Sequence, residues 1–248
     1  MSVAQERVAV VLAGGLGTRL HPYTMVIPKP LLPLGTMPIL EILVRQLASS
    51  GFTKIILTIR YMAPIIRAML GDGERFGLKI TYKEEDEPLG TAGPLRELRD
   101  LSGQALVVNG DTLTDLDFDA FWCAHAESGA AASVVSVERT TSVDFGVIKF
   151  DDDLRMESYT EKPVLRHYVS TGIYMLSDDA RALVESGKYD MPDLLRKVRG
   201  SGSNVNVHLH RGYWMDIGRF DDYQQASSDF EADPNRFLKA TAGLVGAE

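Results

Sequence analysis

The chain has 248 residues, a length that fits one large or two small domains and supports a substantial core. Apolar residues are 45% and charged residues 24% of the total, close to the globular average, which excludes disorder and fibrous repeats. A net charge of −8 excludes a generally basic nucleic-acid-binding surface. It does not exclude an anionic substrate, because a local phosphate site needs only a few cations and backbone N–H groups. The single cysteine, Cys123, permits no internal disulfide and fits a reducing compartment. No stretch reaches the roughly 18 consecutive apolar residues of a membrane helix. The polar start, residues 1–7, lacks the pattern of a signal peptide. The expectation is a soluble, cytoplasmic protein with neither a nucleic-acid nor a membrane partner.

In chain order, residues 7–13 (RVAVVLA) form a β-branched run ending in glycines, as expected of a strand buried on both faces. Residues 36–50 read as a helix, with Ile39, Leu43 and Leu47 spaced by four and Gly51 as its stop. Thr36 is its expected N-cap and Pro38 falls near the first turn. Strands are predicted at 54–59, 78–82, 105–109 and 132–137, with helices at 63–70 and 118–128 between them. Alternation of this kind implies βαβ crossovers and a mainly parallel sheet. In the second half, 145–150 and 154–159 flank Asp151, Asp152 and Asp153, the pattern of an antiparallel hairpin. A strand at 168–176 follows, then helical patterns around 179–185 and 193–198, a strand at 205–209 and a helix at 220–230. The tail after Asp233 is weakly patterned and is expected to fray.

The strongest chemical signal is LAGGLGTRL, residues 12–20, directly after the first strand. Gly14, Gly15 and Gly17 permit a sharp turn and close approach to a ligand. Such a loop can aim N–H groups at phosphate oxygens, with Arg19 adding a bidentate cation. The spacing is neither G-x-G-x-x-G nor a Walker A sequence, so a dinucleotide oxidoreductase and a P-loop enzyme are both disfavoured. By themselves these glycines also suit an ordinary βα turn. Lys29 shifts the balance: Pro28 and Pro30 stiffen its backbone in an extended form, within reach of the same phosphates as Arg19.

The full string at residues 14–40, GGLGTRLHPYTMVIPKPLLPLGTMPIL, closely resembles the signature of sugar-1-phosphate nucleotidylyltransferases. The segment EEDEPLGTAGPL at 84–95 is similar to the part of that family that closes over the nucleobase, most like the GDP-mannose-forming branch. The resemblance covers about residues 7–230. It implies a Rossmann-like three-layer α/β fold: a mostly parallel central sheet with a smaller antiparallel sugar-binding lobe. It also implies one nucleotidyltransferase domain over 1–248; no hexapeptide period near the C-terminus announces a β-helix.

Carried over residue by residue, the resemblance assigns the nucleotide to Leu12, Ala13, Gly14, Gly15, Gly17, Thr18, Arg19 and Lys29. It adds Glu84, Pro88, Gly90, Thr91, Asn109 and Gly110, with Thr91 also expected to cap a following helix. Asp111, beyond the strand ALVVN, and Asp216, in GYWMDIG, would together hold Mg²⁺, a hard ion that keeps several waters. The sugar falls to Gly146, Glu161, Lys162, Thr171 and Gly172, with Lys162 neutralising the attacking phosphate. Arg19, Lys29 and Lys162 form the catalytic set implied for transfer of a nucleotidyl group from an NTP to a sugar 1-phosphate. GTP and mannose or manno-heptose 1-phosphate are the favoured pair. Uridylyl or thymidylyl transfer, and a regulatory homologue that binds without turnover, are the alternatives. A homo-oligomer is compatible with the resemblance. Asp115, Asp117 and Asp119 read as turn and helix-start residues, and Tyr213 and Trp214 as packing aromatics.

Overall fold

A computed structural model describes residues 6–98 and 101–238. Strand β1 (Val8–Ala13) leads through the glycine-rich loop to a small hairpin of β2 (Pro33–Leu34) and β3 (Met37–Pro38), then to α1 (Ile39–Ser49). Next come β4 (Lys54–Ile59), α2 (Ala63–Leu70), β5 (Lys79–Glu84), β6 (Ala105–Asn109), β7 (Thr112–Thr114) and α3 (Phe118–Ser128). The second half begins with β8 (Ala132–Ser142), β9 (Val147–Phe150), β10 (Met156–Thr160) and β11 (Val164–Leu176). Helices α4 (Asp178–Ala182) and α5 (Met191–Gly200), strands β12 (Val205–Leu209) and β13 (Trp214–Asp216), and helices α6 (Phe220–Ala232) and α7 (Pro234–Phe237) follow.

Seven strands form one sheet in the order β12-β8-β11-β6-β1-β4-β5, and β11 alone runs against the rest. Every residue of β1 except Leu12 is buried, and period two divides the strand between two cores. Ala9, Val11 and Ala13 join Leu40, Leu43, Ile66 and Phe121 from α1, α2 and α3 on one face. Val8 and Val10 join Ala180, Leu194 and Val198 from α4 and α5 on the other. This is the expected three-layer arrangement. From β1 the chain adds β4 and β5 on one side, then returns to place β6 on the other. The switch point between β1 and β6 opens a crevice at the strands' carboxyl ends.

The expected helix at 36–50 begins later, because Gly35 and Thr36 form the turn between β2 and β3. Pro38, not Thr36, precedes the first helical residue, and no side chain caps that end. Strands β8 and β11 outrun the predicted 132–137 and 168–176 and continue as a two-stranded ribbon, with exposed residues 138–142 and 164–168. The hairpin β9–β10 turns at Asp151–Asp153 as expected. The stretch after Asp233 is docked: Asp233 caps α7, and Phe237 is buried in a third core with Leu34, Ile39, Leu113, Ile217 and Phe230. Its remainder, 239–248, and residues 1–5 of the polar start lie outside the described residues. Among the described residues, no helix is long and apolar enough to cross a membrane.

His125 on α3 is 4% exposed, with Nδ1 2.8 Å from the Ser133 hydroxyl. Burial holds its pKa below the ordinary 6.5. The unfolded chain therefore takes up this proton first as pH falls, so stability is present above about 6.5 and drains below it. His125→Gln should flatten that loss. Thermal midpoints at pH 7.5 and 5.5 check this: wild type should drop further between them than the variant.

Candidate active site

The carboxyl ends of β1, β4, β5 and β6 deliver the glycine loop, Arg60, Glu85 and Asp111 to one crevice. One end is a cavity of about 420 Å³ lined by Gly14, Gly15, Gly17, Thr18, Arg19 and Lys29, with Arg60, Pro88, Asp111 and Gly218. The adjoining end, about 290 Å³, is lined by Leu12, Gly14, Gly15, Pro88, Gly90, Thr91, Asn109 and Asp111, together with Thr58 and Glu85. Shared walls make them one cleft. Gly17 takes φ +63°, a left-handed conformation that spares glycine a clash. Its carbonyl accepts from the Thr24 hydroxyl at 2.8 Å, which ties the loop back on itself.

Lys29 is not extended as its flanking prolines suggested. Pro28 is extended, but Lys29 opens a short 3₁₀ turn, where Pro30 costs no hydrogen bond. The turn buries Lys29 to 8% exposure and directs its ammonium onto Asp111 Oδ2, with Asp216 Oδ1 at 4.0 Å. Lys29 thus lies between the two carboxylates while lining the cavity that Arg19 also lines.

The carboxylates meet because β7 and β13 form a short antiparallel ladder that pairs Thr112 with Asp216. The Ile217 N–H donates to the Asp111 carbonyl at 3.2 Å. Asp111 Oδ1 is buried without a hydrogen-bond partner. Burial raises the Asp216 pKa and the Asp111 charge raises it further, while Lys29 and Arg19 oppose both. Among the described residues, no group of three or more His, Cys, Asp or Glu side chains is arranged to hold a metal ion. Any cation here would rest on these two carboxylates.

Glu84 departs from its expected place. Ile80 and Tyr82 face the core beside α2, and period two sends Glu84 the same way, where it pairs with Arg67 at 3.1 Å. Glu85, one residue on, enters the cleft instead. Burial lifts its carboxyl pKa, opposed by the Leu89 N–H and Arg60. Thr91 does not cap the helix after it; that turn, Gly93–Glu97, is 3₁₀ and starts from Ala92. The Thr91 hydroxyl accepts instead from the Met191 N–H at 2.8 Å, at the start of α5.

The sugar-side residues line neither cavity. Gly172, at φ +77°, lets β11 pass so close to Asn109 that a Cβ would collide with its amide. The Thr171 hydroxyl is committed to the Val135 carbonyl, and its own carbonyl accepts from Trp214 Nε1 at 3.0 Å. Gly146, Glu161 and Lys162 lie further out in the β9–β10 region, Gly146 half-buried and the other two exposed. Tyr159 donates to Glu161 at 2.8 Å, and Lys162 stands at φ +44°. Leu16, Thr58, Arg60, Glu85 and Gly218 are the cleft residues that sequence reasoning missed. The signal for Arg60 and Glu85 was available: each directly follows a parallel strand, as the glycine loop does.

Comparison with known proteins agrees with this geometry. The model of the nucleotidyl transferase family matches residues 8–233. A UTP–glucose-1-phosphate uridylyltransferase of Synechocystis is 33% identical over 88% of this chain, and a mannose-1-phosphate guanylyltransferase catalytic subunit beta of Danio rerio is 31% identical over 96%. The chain spans 62% and 69% of those relatives' lengths. A Bacillus anthracis protein described as a glucose-1-phosphate thymidylyltransferase, crystallised with a sucrose, superposes with a TM-score of 0.74 at 25% identity. That match covers 96% of this chain and 97% of that one. HddC of Yersinia pseudotuberculosis with GMP-PN gives 0.70 at 27% identity, covering 90% and 99%. With the glycine loop, the buried lysine and the facing aspartates on one fold, the chain belongs to the nucleotidyl transferase family.

Proposed function

We propose that this protein transfers a nucleotidyl group from an NTP, preferentially GTP, to a sugar 1-phosphate, preferentially mannose or manno-heptose 1-phosphate, releasing pyrophosphate. One observation carries the reading: the open glycine loop, Lys29, the Asp111–Asp216 pair and Glu85 converge on a single cleft at the topological switch point. The loop amides and Arg19 bind the triphosphate. Lys29 neutralises charge as pyrophosphate departs, and Lys162 aligns the sugar phosphate. That phosphate is already anionic, so no general base is needed and alignment with charge neutralisation suffices.

Mg²⁺ fits the donors: two carboxylates, one with a buried oxygen that no protein group satisfies. Asp111 and Asp216 would hold it. When bound, the ion supplies charge neutralisation to the phosphates.

Glu85 supports the guanine preference. Guanine presents two adjacent donors, N1–H and N2–H, that one carboxylate accepts together. Uracil and thymine present one ring N–H between two carbonyl oxygens, and a carboxylate repels those. Sites that match donor to acceptor in this way discriminate strongly, because a mismatch leaves a buried group unpaired.

Pyrophosphate release from a panel of four NTPs against several sugar 1-phosphates tests the activity. GTP with mannose or manno-heptose 1-phosphate should turn over fastest, and release from no combination would leave only a binding protein. Glu85→Gln should lower the GTP-to-UTP ratio of kcat/KM about tenfold or more.

The two cationic ends are separable. Lys29→Ala should weaken binding of a non-hydrolysable GTP analogue with Mg²⁺. Lys162→Ala should largely spare that binding while raising KM for sugar 1-phosphate, lowering kcat, or both. Calorimetry on both variants decides: equal loss of nucleotide affinity would mean that the lysines share one subsite.

A further inference from the structure

We propose that Asp115, held by Arg236 and His210, is a positioning clasp that fixes the β7–β13 ladder and thereby the spacing of Asp111 and Asp216. The proposal rests on the reading of those two aspartates as cation ligands. Asp115 looked like a turn residue, yet its side chain is only 16% exposed and accepts from two donors. These are the Tyr213 N–H at 2.6 Å and Arg236 Nε at 2.7 Å, and His210 Nε2 lies 2.9 Å from Oδ1. The Asp115 N–H returns a bond to the Tyr213 carbonyl at 3.2 Å. His210 Nε2 also lies 3.1 Å from that carbonyl; both neighbours are acceptors, so this nitrogen carries the hydrogen.

The ladder needs such a clasp. It pairs only three residues on each strand, Thr114 with Trp214 through Thr112 with Asp216, and two short strands alone are marginal in water. Its far end carries both carboxylates, and a slip of one residue would turn Asp216 to the opposite face. Asp115 closes the near end with charge-assisted bonds. Helix α7 secures the clasp from behind. Arg236 lies over the Tyr213 ring at 5.2 Å, and Phe237 meets that ring edge-on at 5.1 Å. Gln46 of α1 donates to both the Thr114 and Phe237 carbonyls, at 2.6 and 3.0 Å. The last described helix is thus coupled to the pair of aspartates through residues that line neither cavity of the cleft.

Asp115→Asn and Arg236→Met each remove the charged bond, and Asp216→Ala serves as the reference. Mn²⁺ affinity, read by electron paramagnetic resonance with a non-hydrolysable GTP analogue, should weaken about tenfold in both clasp variants, as for other groups that orient metal ligands. Their kcat should fall with KM for sugar 1-phosphate unchanged, and the double variant should be no worse than the worse single one. Wild-type Mn²⁺ affinity and kcat in both variants, even with a lower melting temperature, would reduce Asp115 to a structural residue and overturn the proposal. If Asp115→Asn fails to fold, Arg236→Met decides alone, since that arginine is half exposed. Should Asp216→Ala bind Mn²⁺ like wild type, the cation reading itself fails and the clasp falls with it. Loss in Asp216→Ala alone refutes only the clasp.

Discussion

Two partly buried carboxylates within reach of one lysine are the constraint around which the cleft is organised. Like charges at the end of a strand pair repel, and burial adds a cost for each ion. Lys29 offsets this, and at 4.0 Å its attraction to Asp216 is about 4 kcal/mol at an effective dielectric of about 20. Partial desolvation of the ions works against that attraction, so the trio is weak evidence of net stability. Its contribution is positional. The lysine can sit there only because the 3₁₀ turn at Lys29–Leu31 buries its stem, and Gly17 packs without a side chain against that stem. The glycine loop is therefore one wall of the carboxylate site as well as the phosphate cradle of the proposed reading.

The backbone plan was legible because it rests on local pattern. Residues 54–59, 63–70, 105–109, 118–128 and 205–209 fold with the boundaries their periodicity predicts. Strand ends governed by long-range pairing were not legible. β8 and β11 extend past their apolar stretches because each satisfies the other's backbone, and no side-chain pattern marks that ribbon. Thr36 has the chemistry of a helix cap, yet the pairing of Leu34 with Met37 claims it for a turn. α7 looked too weakly patterned to hold; its anchor is Phe237 in a core whose other members come from distant segments.

Within the site, the glycine loop, Lys29 and the two aspartates were legible as motifs, and their convergence follows from topology. Glu85 was not, because EEDE offers neighbouring carboxylates and only the phase of β5 chooses between them. Tyr82 packs towards α2 and takes Glu84 with it, leaving Glu85 for the cleft. Asp115 was discounted for a similar reason: its partners Tyr213, His210 and Arg236 lie about a hundred residues away in sequence.

The residues expected on the nucleotide and sugar sides are held differently by the fold, and this bears on where specificity resides. Most of the residues expected on the nucleotide side stand at the ends of central strands that are almost wholly buried, while Glu85 follows the edge strand β5. Of the residues expected on the sugar side, Gly146, Glu161 and Lys162 stand on or beside the hairpin β9–β10, which has little packing to hold it, whereas Thr171 and Gly172 are buried in β11. A rigid wall discriminates by the chemistry of single side chains, since a mismatched base cannot be accommodated by relaxation. The relatives illustrate the consequence: proteins named for uridylyl and guanylyl transfer are 33% and 31% identical to this chain. Two percentage points of overall identity cannot separate two bases. On the proposed reading the base is selected by the few side chains that reach its edge, and of the two carboxylates lining that end Asp111 is paired with Lys29, which leaves Glu85 for the base.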